Sequence, residues 1–319
     1  MSSYVPIRLR TIRQNENLGF SVFVFISHKE KYIRYINEGD EFDGDRYKKF
    51  KDKKVKKLYI LSDDESKYQA FVDRKLNAAI DDDSLSNDER AEILTAVTTE
   101  ALEKFKEDPE SKEAFDEVDK AGRSMVEVIT KRPGVLKSLL SADAEDDISV
   151  SSAMNCCTLA IRIGKLLSFE KGLLESVGSA ALLRDISYKD YSEEEKKVFA
   201  KPYGEITDAE WEWYKDHPNK SVEILKKIDS ENLTSQVVDI VKSHEEKNNG
   251  LGFPNKVGSL TMQSEIVSLC SHYDRYVTWQ GKEPTEALQI LANEDAKLYN
   301  PKYTEMLGKV LFSLGMIKV

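Results

Sequence analysis

Ala180-Ala181-Leu182-Leu183-Arg184-Asp185-Ile186 is an apolar helix end that closes on an adjacent arginine and aspartate. Leu173, Leu174, Val177, Ala180 and Ala181 keep helical spacing into it, which predicts a buried helix delivering a charged pair to the edge of a core. Taken alone, Arg184-Asp185 is an ordinary solvated ion pair at a helix end, worth little. Its neighbours along the chain give it more weight.

From Val135 onward the pattern is helical throughout. A long helix before the quoted stretch carries Leu159, Ile163, Leu166 and Leu167 on one face. After it, Thr207 and Glu210 have the spacing of a capping box, which starts a helix expected to end at Asp216-His217-Pro218. Val222 to Ile228 is the next helix, and Leu233 to His244 another, finishing in His244-Glu245-Glu246. Gly250, Gly252 and Pro254 then break the chain. Ser264 to Tyr276, Thr285 to Ala292 and Pro301 to Leu314 complete the set.

Upstream, residues 1–79 read as a small α/β domain. Phe20 to Ile26 and Tyr32 to Ile36 are rich in strand formers and flank a polar turn that contains His28, so a hairpin is expected. A short helix over Gly44 to Lys53 leads to an alternating strand, Val55 to Ile60. Ser62 to Glu65 caps a helix with Tyr68, Phe71, Val72 and Leu76 on one side. The lysines between 48 and 57 read as a solvated basic face. Residues 80–132 form a helical linker that begins with the polar run Ile80–Ser86. Two helices broken at Asp108-Pro109 then lead to the stop at Lys131-Arg132-Pro133-Gly134. An acidic loop, Asp143 to Asp147, precedes the long helix of the C-terminal domain, residues 133–319. The fold class expected is therefore mainly α: an all-helical C-terminal domain, a helical connector and a small α/β N-terminal domain.

With 319 residues the chain can build two cores. Its net charge of -10 argues against a general nucleic-acid binder, which needs a basic footprint. No apolar run approaches bilayer length and no signal-peptide pattern opens the chain, so no membrane partner and a cytoplasmic setting are expected. Cys156, Cys157 and Cys270 lie in apolar helical surroundings without metal-type spacing and read as core residues of a reducing compartment.

Three of the four histidines, His217, His244 and His272, fall in the C-terminal half. His217, His244-Glu245 and Asp185 each stand where an apolar helix stops, which is how a helical domain lines a pocket. Imidazole with carboxylate suits a first-row divalent ion, and the same pocket could also take a phosphate.

The order of these pieces resembles the HD-GYP domain, a family of bacterial phosphodiesterases that hydrolyse cyclic di-GMP. Ser152 to Ala160 is similar to its first ligand helix and Ala180 to Ile186 to its His-Asp helix. Gly204 to Pro218 is similar to the approach to its His-Pro. His244-Glu-Glu-Lys-Asn-Asn-Gly-Leu-Gly-Phe-Pro254 resembles its His-His-Glu and Gly-Tyr-Pro signature. The resemblance implies a two-metal site, and the departures fall on one half of it. Ser152 stands at the first histidine position, Arg184 at the His-Asp histidine and Ser271 at the later aspartate. Glu245 takes the place of the second histidine of the pair, Phe253 of the tyrosine and Tyr188 of the lysine. The implied remainder is one ligand set, Asp185, His217, His244 and Glu245.

On this resemblance the chain is expected to be a degenerate member without phosphodiesterase activity, in cyclic di-GMP signalling or protein interaction. Its ligand contacts would be Arg184, Gly250, Gly252, Phe253 and Pro254, with a protein partner met through the Gly250–Pro254 loop. No cofactor is expected, or at most a single Fe, Mn or Zn ion. The alternative is a phosphohydrolase working from the reduced mononuclear site. Arg184 beside Asp185 is expected to supply the positive charge that a cation would otherwise bring.

Overall fold

The computed structural model describes residues 3–53, 55–142 and 147–318. Lys54 of the basic run and residues 143–146 of the expected acidic loop lie outside the described residues. The chain divides into two compact units, Met1–Glu100 and Ala101–Val319.

The first unit holds a four-stranded antiparallel sheet. Its strands are β1 (Tyr4–Arg8), β3 (Val22–Ile26), β4 (Lys31–Ile36) and β6 (Lys57–Leu61), in the order β1-β6-β3-β4. The short strands β2 (Glu16–Asn17) and β5 (Glu41–Phe42) pair separately. β3 and β4 form the expected hairpin, its turn closed by Glu30 in the left-handed region at φ 46°. β1 was not anticipated as a strand, because Pro6 in its middle removes a ladder donor and weakens the strand pattern. α1 (Gly44–Asp52) and α2 (Glu65–Asp81) complete the layer. Tyr68, Phe71, Val72 and Leu76 of α2 are buried, and Phe20 meets Tyr68 and Phe71 edge-on at 5.5 Å. α2 runs on through Asp81, so the expected linker at Ile80–Ser86 begins inside a helix.

α3 (Asn87–Glu107) carries the chain through the division between the units. In the second unit α4 (Lys112–Lys131) and α5 (Leu136–Leu140) precede two central helices, α6 (Ile148–Leu166) and α7 (Lys171–Leu183). α4 lies close on α7 at a pair of glycines. A Cβ on Gly122 would stand 3.2 Å from the backbone nitrogen of Ser179, and one on Gly178 would stand 3.4 Å from the Gly122 carbonyl. α8 (Glu193–Lys196), α9 (Asp208–Tyr214), α10 (His217–Leu225) and α11 (Ser235–Ser243) follow. α12 (Met262–Asp274) continues into a π-helical turn, Arg275–Trp279, and α13 (Pro284–Asn293) and α14 (Pro301–Ser313) end the chain.

The Thr207–Glu210 capping box is formed in full. His217, however, opens α10 with Pro218 in its first turn and does not close α9, which stops at Tyr214. A proline in the first turn is compatible with a helix start, since its missing N–H has no partner there. Leu166 is 45% exposed and leaves the expected apolar face of α6, while Leu159 and Ile163 stay buried. All three cysteines are free and buried, and burial pushes the Cys156 thiol up to about 12, so they act as inert core residues. Among the described residues no helix is long and apolar enough to cross a membrane.

Candidate functional site

α7 ends at Leu183 and places Arg184 and Asp185 at the centre of the helical unit. The start of α10 brings His217 to Asp185, and the end of α11 brings His244. His217 Nε2 lies 3.3 Å and His244 Nε2 3.2 Å from Asp185 Oδ1, and the two Nε2 atoms are 3.1 Å apart. Both histidines are buried, and the Asp185 side chain keeps 16% exposure.

The opposite nitrogen of each ring fixes its tautomer. His217 Nδ1 meets the Tyr214 carbonyl at 2.8 Å and His244 Nδ1 the Val241 carbonyl at 2.7 Å. A carbonyl oxygen can only accept, so each Nδ1 carries its proton and donates it. With its proton on Nδ1, a ring in the neutral form turns a lone pair at Nε2 towards its neighbour and towards the carboxylate. Three acceptors on one point repel unless a proton or cation stands among them. Three donors bound to one first-row ion at about 2.0–2.2 Å lie roughly 3 Å apart, so the triangle Asp185–His217–His244 has a span and donor chemistry that fit a divalent ion. A backbone carbonyl behind each histidine is the usual support for a ligating imidazole.

Glu245 is close but turned aside. Its Oε1 is 4.0 Å from His217 Nε2, while its Oε2 accepts from the Tyr203 hydroxyl at 3.0 Å and lies 3.9 Å from Lys247 Nζ. Burial pushes the Glu245 carboxyl up, but Lys247 and the two imidazoles outweigh it and hold the group below its ordinary range. His272 stands apart from this triad: its Nδ1 pairs with the Tyr299 hydroxyl at 2.9 Å, and burial with Lys247 and Arg275 nearby lowers its pKa well below the usual value.

On the other side of Asp185 lies Arg184, 1% exposed. Its Nε donates to Ser271 Oγ at 3.0 Å and lies 3.2 Å from Asp185 Oδ2. Its Nη1 donates to the Ala181 carbonyl at 2.8 Å and its Nη2 to Ser152 Oγ at 2.6 Å. The guanidinium therefore sits among the two serines and the aspartate that mark the altered half of the expected site. Asp274 is the second counter-charge, 3.8 Å from Nη2. Burial raises the Asp185 carboxyl, and Arg184 with the two imidazoles reverses this and holds it well below the usual carboxylate range.

Asp274 was missed from the sequence, because α12 carries polar residues such as Glu265, Ser268 and His272 all along it and only the fold shows that Asp274 is buried. It accepts from Ser152 and, at 2.6 Å, from Thr278, which in turn accepts from Asn155 at 3.1 Å. The π-helical turn after α12 brings Trp279 back so that its Nε1 donates to Ser152 Oγ at 2.9 Å. Tyr188 packs edge-on against Trp279 at 5.2 Å. Ser152 thus gives one hydrogen bond and receives two, its full capacity.

The Gly250–Pro254 loop backs the histidine turn. A Cβ on Gly252 would stand 2.4 Å from both Glu246 Cα and Lys247 N, so only glycine fits against that backbone. Gly250 adopts φ +74° and the Phe253-Pro254 bond is cis. Phe253 is buried beside Tyr214 and Trp211, with its ring 5.9 Å from that of His217. Glu246 receives the Asn255 and Val257 N–H groups at 2.6 and 3.1 Å, which closes the loop; Leu251 at its tip is 72% exposed.

A helical unit whose central helix ends on a basic residue and an aspartate, with histidines delivered from later helices, defines the HD type of domain. Residues 135–303 match the HD domain family, and the chain belongs to it, within its HD-GYP branch. The solved structure of Bd1817, an HDG"Y"P protein from Bdellovibrio bacteriovorus, superposes with a TM-score of 0.77 at 25% identity. That likeness covers 97% of this chain and 100% of the other. A stretch of 163 residues is 26% identical to the cyclic di-GMP phosphodiesterase PA4108 of Pseudomonas aeruginosa. It takes in 50% of this chain and 37% of the relative, so the chain matches just over a third of that protein's length.

Proposed function

We propose that this protein is a single-ion member of the HD-GYP family that binds cyclic di-GMP, or a partner protein, in signalling and does not hydrolyse the dinucleotide. The observation that carries the reading is the burial of the Arg184 guanidinium among Ser152, Ser271, Asp185 and Asp274. Asp185, His217 and His244 would hold one divalent ion, which supplies Lewis acidity toward a phosphoryl oxygen when bound. Arg184 neutralises the second oxygen of Asp185. A guanidinium supplies charge and hydrogen bonds but cannot activate water, so the clamp of a two-metal centre on the attacking oxygen has no counterpart in this half. Leu251, exposed on the loop behind the histidines, is where a protein partner would make contact.

Metal analysis of the purified chain, calorimetry with cyclic di-GMP and a turnover assay test this reading together. One ion per chain, dinucleotide binding and no product are expected. Two ions per chain, or steady turnover, would overturn it. The convergence of the two Nε2 lone pairs favours a second reading, phosphodiester hydrolysis from the single-ion centre. Turnover that disappears in His244→Ala would establish that reading instead.

A further inference from the structure

The first unit contains a cavity of about 600 Å³ that the site above does not use. The loop after β1 lines one wall with Arg10, Arg13 and Asn15. α1 lines another with Lys48 and Lys51, and the first turns of α3 close it with Glu89. Its lining carries four basic side chains, Arg10, Arg13, Lys48 and Lys51, against three acids, Asp52, Glu89 and Glu92, in a chain that is anionic as a whole.

Lys48, Lys51 and one nitrogen of Arg13 are also short of partners. Elsewhere in the chain exposed lysines pair with carboxylates one turn away, as Lys197 does with Glu194 and Lys309 with Glu305. Lys48 and Lys51 are exposed, one turn apart on the same face of α1, and neither has an ion-pair partner among the described residues. Like charges at that spacing repel. Arg13 reaches Glu89 through Nη1 at 3.5 Å, but its Nη2 is buried with no hydrogen-bond partner. An unfilled guanidinium N–H out of solvent is costly, and a planar fork is the donor best matched to the oxygens of a phosphate or carboxylate. Of the three acids at the cavity, Asp52, Glu89 and Glu92, Glu89 is the one paired with Arg13.

We propose that this cavity is a binding site for a small polyvalent anion, a phosphate- or carboxylate-bearing metabolite. One oxygen group would complete the Arg13 fork, and the remaining charge would be neutralised by Lys48 and Lys51. The inference is independent of whether the histidine centre binds metal or turns over a substrate.

Calorimetric titration of the full chain at low salt with sodium pyrophosphate, and separately with citrate, tests it. At least one of the two should bind one-to-one, and the stronger of the pair identifies the oxyanion type. The double variant Lys48→Glu/Lys51→Glu changes only exposed side chains and should weaken binding by about tenfold or more. Lys29→Glu/Lys31→Glu, the same charge change on the exposed hairpin turn outside the cavity, should leave it intact. The proposal is overturned if neither anion binds, or if the two charge reversals weaken binding equally.

Discussion

Arg184 and Ser271 lie 87 positions apart in the chain, and the guanidinium Nε of one donates to the hydroxyl of the other at 3.0 Å. Two residues read from the sequence as departures from the family pattern are therefore bonded to each other. Ser271, Ser152 and Asp185 form a cradle for the buried guanidinium.

That cradle makes Arg184 a structural necessity. Arg184→Ala would leave Asp185 and Asp274 buried without their shared cation. A loss of about 3–5 kcal/mol is expected for breaking such a buried network, read from urea denaturation midpoints. Arg184→Lys keeps the charge but not the fork, and should recover only part of the loss.

Asp274 gives the network a pH signature. Burial pushes its carboxyl up to about 6 from the ordinary 3.8, against the pull of Arg184 and the hydrogen bonds from Ser152, Thr278 and Asn155. A carboxyl with a raised native pKa contributes stability that is fully present below about 3.8 and is lost as pH rises through about 6. The native protein should lose roughly 3 kcal/mol from this group between pH 4 and 7. Asp274→Asn should flatten that part of the profile. Denaturation midpoints across this range, compared between the two proteins, check it; parallel profiles would refute the assignment.

The histidine centre should respond separately. His217→Ala or His244→Ala should reduce bound metal from one ion per chain to well under half, by mass spectrometry of the purified protein. Arg184→His alone should neither raise the count to two nor create turnover, because Ser152 and Ser271 still offer only neutral hydroxyls to a second ion.

Gly252 links the loop to the centre. Gly252→Ala would drive a methyl group into the backbone of Glu246 and Lys247, atoms that can yield only by moving the turn that carries His244. A destabilisation above about 2 kcal/mol is expected for an overlap of this kind, together with lower metal occupancy. Thermal melts and metal analysis on the same preparations measure both. Gly204→Ala, where a new Cβ meets nothing within 4 Å, is the control and should be near neutral.

Local sequence determined most of the helical frame, since apolar spacing, the Thr207–Glu210 box and the Gly250–Pro254 break act over a few residues. The end of α7 at Arg184-Asp185 was legible for the same reason, as were buried cysteines and the β3–β4 hairpin. Tertiary structure alone decided what those side chains meet. Nothing near Arg184 in sequence specifies Asp274, 90 positions on, as its second counter-charge, because burial on two different helices creates that pairing. Nor does local spacing show that Tyr214 and Val241 each offer a carbonyl to the Nδ1 of a histidine three residues later, in a pocket where the two Nε2 atoms meet. Glu245 had the composition of a ligand, but the hydroxyl of Tyr203 and the charge of Lys247 drew it aside. Helices follow from interactions within one or two turns. The charge state and aim of a buried group follow from whatever the fold has placed within about 4 Å of it.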